Sequence, residues 1–353
     1  MMTCNRQYMT GFLGKETKYF YSLTPEVIDQ ALLSMAIKPI GRTIALNSLE
    51  NRVYSVEIKA TDLKLNEYQE SFEQAFSQDQ VVVKFYRPGR WSADAIEEEH
   101  QSLRHLSSLE IPVVSPLGKN GQTFFKEETT GLYFAVFPKV IGRLKDELVL
   151  QEVQPLARLI ARVHQGLKYL TPYKHRGTLN IEHFIDEYCD FLKSFEVAPK
   201  QLRESFVHLA TMLRTMIQVH LQHLPQQRIH GDIHRGNVMW NQQGPFLMDF
   251  DDSLLGPIEQ DLWLMIPGID EEDKVLNKAF LETYADYTQS NIHLSRKVVE
   301  SLRTLRMVRF VGWIAKRYED PFFIKMFPHF LTDGFWEQQV LGLKEQWSYL
   351  QDD

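Results

Sequence analysis

From Leu150 onward the apolar positions recur at helical spacing. Val153, Leu156, Ile160, Val163 and Leu167 mark one run, and Leu202, Phe206, Leu209, Leu213, Met216 and Ile217 another. The pattern before that point is different. Residues 44–46, 53–58, 81–86, 123–125 and 132–138 are short runs rich in β-branched and aromatic side chains. In the second of these, Val53, Ser55 and Glu57 alternate against Tyr54, Val56 and Ile58, so strands are predicted. Two helices are predicted among them. Thr24-Pro25-Glu26 opens the first, since Thr suits the N-cap and Pro the first helical position, and Ile28, Ala31, Leu32 and Met35 form its stripe. Ser92 opens the second, with Ile96, Leu103 and Leu106 on one face. Further helices are predicted from Asp261, over 296–317 and over 332–350, with an aromatic-rich bridge at 321–330.

The expected class is therefore α+β. A tail of residues 1–22 precedes a small β-sheet lobe with one crossing helix over 23–140, and a larger, mainly helical lobe follows over 141–353. Residues 59–80 are polar apart from Phe72, Ala75 and Phe76, and read as a surface insertion of a helical turn or two. Residues 139–146, with Gly142 and several charges, read as a connector or hinge.

Composition narrows the class of protein. At 353 residues the chain can form two cores, and 44% hydrophobic with 24% charged residues is ordinary globular chemistry. A formal charge of −7 with no basic run argues against a nucleic-acid partner. Cys4 and Cys189 cannot build a disulfide framework or a metal cluster, which fits a reducing cytoplasm. The longest apolar stretches, 131–142 and 308–315, fall short of the roughly 18 residues a bilayer span needs. The first fifteen residues lack the apolar core of a secretory signal. A cytoplasmic monomer without membrane contact is expected.

The chemistry concentrates in residues 228–252. Asp232 and Asn237 are five apart, and Asp249 follows twelve later, each beside a short apolar run. Acids at the ends of buried strands are expensive to desolvate, which points to a charged ligand. Mutually satisfied loop residues are one reading. A hydrolytic metal site using His230, Asp232 and His234 is another, but His175, His183, His208, His220 and His223 show no matching spacing. Nucleotide-dependent phosphoryl transfer is the third: D-x-x-x-x-N supplies a base and a metal ligand, and a downstream Asp the second ligand. It also gives work to Lys84, on a β-branched strand, and to a carboxylate on the next helix. Glu99 lies one helical repeat before Leu106 and is favoured for pairing with Lys84, with Glu98 the alternative. The turn at 47–51 has no glycine, so on its own it reads as a plain hairpin tip.

His230-Gly231-Asp232-Ile233-His234-Arg235-Gly236-Asn237 matches the H-G-D-x-H-x-x-N motif of the aminoglycoside phosphotransferase-like (choline/aminoglycoside kinase) superfamily. Within it, Leu46 to Tyr54, Val82 to Trp91, Glu98 to Gln101, Tyr133 to Pro138, Asp249 to Asp252, Gly256-Pro257 and Gln260 to Trp263 resemble the bacterial stress response kinase A group. The resemblance runs from about Leu23 to Trp347. It implies a bilobal protein-kinase-like fold and an ATP- and Mg²⁺-dependent serine/threonine protein kinase that protects cells under stress, with autophosphorylation possible. By the same resemblance Asp232 accepts the proton of the substrate hydroxyl. Asn237 and Asp249 hold Mg²⁺, and Asp249 also counts as an active-site residue. Lys84 contacts the α- and β-phosphates and Glu99 orients it. Ser48 and Asn51 belong to the turn over the phosphates, where a hydroxyl and backbone N–H groups stand in for glycines. His230 props up the catalytic loop and Asp261 anchors it.

Two other functions stay open at this level. A small-molecule hydroxyl kinase for an aminoglycoside, choline or homoserine would want an acid-lined acceptor pocket, for which Asp251, Asp252 and Glu259 are candidates. A non-catalytic ATP-binding regulator fits less well, because Lys84, Asp232, Asn237 and Asp249 are all present. Only about a dozen residues separate Asp249 from Asp261, too few for a long phosphorylatable activation loop.

Overall fold

A computed structural model describes residues 19–265, 271–290, 292 and 294–351. It divides into two compact units. The first takes the chain up to Arg176, together with His230–Ser253 and Met265–Ser290. The second takes Gly177–Ile229, Leu254–Leu264 and the chain from Asn291. Residues 230–253 thus share a unit with the N-terminal sheet, although they lie beyond residue 141 in the chain.

The first unit is built on an antiparallel sheet of β1 (Pro39–Leu46), β2 (Arg52–Ile58), β3 (Phe76–Phe85), β4 (Phe125–Lys126) and β5 (Tyr133–Val140), in the order β1-β2-β3-β5-β4. Period-two alternation sends Val81, Val83 and Phe85 of β3 into one core with Val56, Ile58, Phe134, Val136 and residues Ile28 and Leu32 of α1 (Pro25–Ser34). Lys84 therefore faces the other way. It sits on a central strand, opposite Val53 on one side and Ala135 on the other. Helix α2 (Ala93–Ser108) starts where Ser92 Oγ accepts the Ala95 N–H at 3.2 Å, and it buries Ile96, Glu99, His100, Leu103 and Leu106.

Two expectations change here. Residues 59–80 are not a surface insertion throughout. Single helical turns at Ala60–Asp62, Glu67–Glu70 and Glu73–Ala75 lead into β3, which begins at Phe76. Ala75 and Phe76 are buried with Val140 and Phe246, and Phe72 and Phe76 meet the Phe246 ring edge-on at 5.4 and 6.1 Å. The connector after β5 is not a loose hinge either. Ile141 N–H donates to Ala75 O at 2.7 Å, and Arg143 and Trp240 exchange two backbone hydrogen bonds of 2.9 Å. Glycine is needed at 142 because a Cβ there would lie 2.5 Å from Trp240 O.

Helix α3 (Leu150–Lys168) and the helix Glu271–Thr288 complete the first unit, joined by a 2.7 Å hydrogen bond between His164 Nδ1 and Tyr284 Oη. The second unit is helical. Lys200–Leu221, Arg296–Lys316 and Asp333–Gln351 enclose Phe206, Leu213, Ile217, Leu305, Val308, Val311, Trp336 and Leu343. Gln227–Ile229 and Leu254–Gly256 pair as a short antiparallel ribbon within it.

Candidate active site

The polar residues of the loop at 230–237 are tied to their neighbours. His230 is fully buried, with its ring centroid 4.5 Å from that of Phe250. Its Nδ1 accepts the Asp232 N–H at 3.3 Å, so the other nitrogen carries the proton, and Nε2 donates to Met248 O at 2.9 Å. His234 works the same way: Nδ1 accepts the Gly236 N–H at 3.0 Å, leaving protonated Nε2 3.5 Å from Asp232 Oδ2. Asn237 donates from Nδ2 to Asp232 O at 3.0 Å, and its backbone carbonyl accepts the Met248 N–H at 2.9 Å. The hairpin of Val238–Asn241 and Gly244–Leu247 supplies that approach, bringing the segment ending in Asp249 back to the loop. Asp249 adopts the left-handed conformation, with φ of 59°. Its side chain is 55% exposed, against 21% for Asp232. Both carboxylates are reachable by a ligand, and each histidine holds a backbone N–H of its own loop.

Lys84 joins β3 to this segment. Its Nζ lies 2.9 Å from Asp251 Oδ1, 3.5 Å from Asp249 Oδ1 and 3.6 Å from Glu99 Oε1. Burial works against the ammonium, but Asp251 and Glu99 outweigh it and hold the Lys84 pKa well above its ordinary value. Burial raises the Glu99 carboxyl, with Lys84 and Arg176 pulling the other way. Glu98 has different work. Its carboxylate accepts the backbone N–H groups of Lys174, His175 and Arg176 at 2.7, 3.0 and 3.2 Å. Lys84 pairs with Glu99.

The turn between β1 and β2 is tied down by arginines that the strand pattern did not single out. Ser48 Oγ accepts the Asn51 N–H at 3.2 Å. Asn51 is buried, and its Oδ1 accepts the Arg87 N–H at 3.1 Å, so its side chain supports the turn from beneath. Arg87 donates from Nε to Glu50 O at 2.8 Å and from Nη2 to Leu49 O at 3.2 Å. Arg90 spans two acids, donating from Nη1 to Asp251 and from Nη2 to Asp252 Oδ1 at 2.9 Å, with Glu50 Oε2 3.7 Å from Nη1. Burial would raise the Asp251 carboxyl, but Arg90 and Lys84 bring it down to about 2. The signal available was Arg87-Pro88-Gly89-Arg90-Trp91 directly after the lysine strand. Arg176, also central, had none.

The donor chemistry suits a hard divalent cation. Asp249 offers a carboxylate and Asn237 an amide oxygen, the ligands Mg²⁺ prefers alongside phosphate oxygens. Among the described residues, no group of three or more His, Cys, Asp or Glu is arranged to hold a metal without such help. Asp261 is fully buried in the helix Glu259–Trp263 of the second unit, as Glu259 is part of that helix.

An acid–amide–acid loop beside a buried Lys–Glu pair is the arrangement of phosphoryl-transfer enzymes. The profile of the phosphotransferase enzyme family matches residues 62–293. The chain belongs to this family. Among its relatives, stress response kinase A of Escherichia coli (strain K12) is 33% identical over 94% of this chain and 95% of that protein. The serine/threonine protein kinase RdoA of Salmonella typhimurium is 31% identical over the same shares. Amicoumacin kinase hAmiN, solved with AMP-PNP, Ca²⁺ and Ami, superposes with a TM-score of 0.66 at 19% identity, over 95% of this chain and 96% of that one. Choline kinase LicA from Streptococcus pneumoniae gives 0.58 at 15% identity, over 91% and 98%. This phosphotransferase therefore has the kinase-like α+β fold expected from its sequence, and it is an enzyme of the kinase class.

Proposed function

We propose that this phosphotransferase is an ATP- and Mg²⁺-dependent serine/threonine protein kinase of the bacterial stress response, acting in the cytoplasm. Asp232 accepts the hydroxyl proton, aided by its exposure and held in place by His230, His234 and Asn237. Lys84, kept cationic by the surrounding acids, receives the α- and β-phosphates. Asn237 and Asp249 would hold Mg²⁺, which neutralises phosphate charge when bound. Positioning and charge neutralisation suffice for a loose phosphoryl-transfer transition state.

The observation that carries the choice of acceptor is the Arg90 bridge. Three acids were candidates to line a pocket for a cationic sugar or choline: Glu259, and the pair Asp251 and Asp252. Both acids of the pair already face a guanidinium, which leaves them poorly suited to bind a cation. A protein hydroxyl needs no such acidic pocket, and the relative named as a serine/threonine protein kinase points the same way.

The test is a transfer assay with labelled ATP and Mg²⁺. Myelin basic protein is offered first, then aminoglycosides, choline, homoserine and other small alcohols. Label is expected in protein, including this chain itself, and lost by roughly 10²-fold or more in Asp232→Ala, the scale of a positioned general base. Label in a small molecule alone would overturn the acceptor, and unchanged turnover in Asp232→Ala would overturn the role of that residue.

A further inference from the structure

Arg176 is the last residue of the chain segment that ends the first unit's leading portion, and its guanidinium is wholly buried. A guanidinium has five N–H donors, no acceptor and a fixed planar geometry. Here five acceptors surround it. Nε donates to Ser253 O at 2.7 Å. Nη1 donates to Ala95 O at 2.9 Å and Glu99 Oε2 at 3.3 Å. Nη2 faces Phe250 O at 3.5 Å and donates to Asp251 O. The Trp91 ring covers the group, 4.1 Å from Cζ to centroid.

These acceptors belong to two elements only. Ala95 and Glu99 lie on α2, and residues 250–253 directly follow the metal-ligand candidate Asp249. The backbone of the same arginine is held in turn by α2, because Glu98 accepts the N–H groups of residues 174–176. Adjacent carboxylates of one helix thus grip Arg176 from both ends. In protein kinases, the Lys–Glu pair forms only when the helix carrying the Glu is correctly placed, and activation-loop phosphorylation commonly controls that placement.

We infer that Arg176 is a positioning residue: together with Glu98 it braces α2 against residues 250–253, so that Glu99 stays paired with Lys84 without any phosphorylation event. The inference rests on the phosphotransfer reading of Lys84 and Glu99. It assigns Arg176 no contact with substrate. Lysine cannot replace it, since an ammonium has three donors and no fork to span both elements.

The experiment uses the full chain carrying Arg176→Lys, Arg176→Gln or Glu98→Ala. Affinity for Mg²⁺–ATP is measured by calorimetric titration, and KM and kcat by transfer to myelin basic protein. Both arginine variants are expected to raise the ATP KM about tenfold and lower kcat about tenfold, with the acceptor KM within about twofold, the pattern of a misplaced nucleotide. Glu98→Ala, altered on the helix's half-exposed side, is expected to raise the ATP KM about threefold while the chain remains folded at the assay temperature. Wild-type ATP affinity in folded variants overturns the brace, as does a kcat that merely tracks the folded fraction while KM stays fixed. If the arginine variants do not fold, Glu98→Ala decides on the same criteria. ATP titration needs no acceptor. A wild-type chain that binds Mg²⁺–ATP but labels no protein therefore overturns the proposed acceptor, while weakened binding in the variants still supports the brace.

Discussion

His100 shows how closely charge is controlled around the lysine. Its Nε2 is hydrogen-bonded to Tyr86 Oη and its Nδ1 to Thr123 Oγ1, both at 2.8 Å. The Tyr86 ring centroid in turn lies 4.9 Å from Lys84 Nζ. Burial, then Lys84, Arg104 and Arg176, push the His100 pKa well below its ordinary value, and Asp251 opposes them. The ring stays neutral and adds no positive charge beside Lys84. The unfolded chain, by contrast, protonates this histidine near pH 6.5. Because the folded pKa is the lower one, the contribution of His100 to stability is complete above the unfolded pKa. It is lost as pH falls from there toward the folded value. The unfolded histidine is half protonated at about pH 6.5 and almost fully so at about 5.5, so over that interval the loss from this group should be about 1 kcal/mol. Urea unfolding at the two pH values should show His100→Gln losing less stability than wild type by about that amount. Equal losses in the two proteins would remove His100 as the cause.

The connector after β5 carries the corresponding lesson for an element. A glycine among charged residues suggests freedom, yet Gly142 is where two backbones touch. Trp240 O and Trp240 C would lie 2.5 and 3.1 Å from an added Cβ, and neither can swing aside as a side-chain tip could. Gly142→Ala should therefore destabilise the fold by about 1–3 kcal/mol, the range for overpacking. The readout is the urea midpoint at constant slope; an unshifted midpoint would mean that residues 139–146 are not held as described. Contacts of this kind explain what could be read from sequence and what could not. The helical stripes and the strands follow from local periodicity, since a side chain's face is set by its place in the repeat. The same periodicity chose Glu99 over Glu98 once the phosphoryl-transfer pattern called for a partner to Lys84. The start of β3 did not follow from it, because its pairing with β5 shifts register between Phe76 and Val81, and such a break hides the alternation. Arg176 left no trace for another reason: it meets Glu99 across 77 residues, and no repeat spans that distance.

For the whole molecule the open matter is how its activity is controlled, and Ser253 makes that testable. It is the only Ser, Thr or Tyr between Asp249 and Asp261. It is fully buried, its N–H donates to Phe250 O at 2.9 Å, and its carbonyl accepts from Arg176. A phosphate there would place about 1.5 to 2 negative charges in a buried position next to Asp251 and Asp252. It would also break the brace on α2. Phosphorylation of this segment should therefore be absent from active enzyme, instead of being its trigger. The Ser253 hydroxyl has no hydrogen-bond partner among the described residues, so Ser253→Ala removes a buried unsatisfied group and should leave the melting temperature equal or slightly higher. The variant's kcat should stay within about twofold of wild type, since it touches neither donor nor acceptor of the transferred group. Tandem mass spectrometry of the purified, active protein should find residues 250–260 unmodified, and phosphatase treatment should leave the rate of protein labelling intact. Activity that disappears with phosphatase, together with phosphate mapped to Ser253, would show that the site is assembled by modification after all.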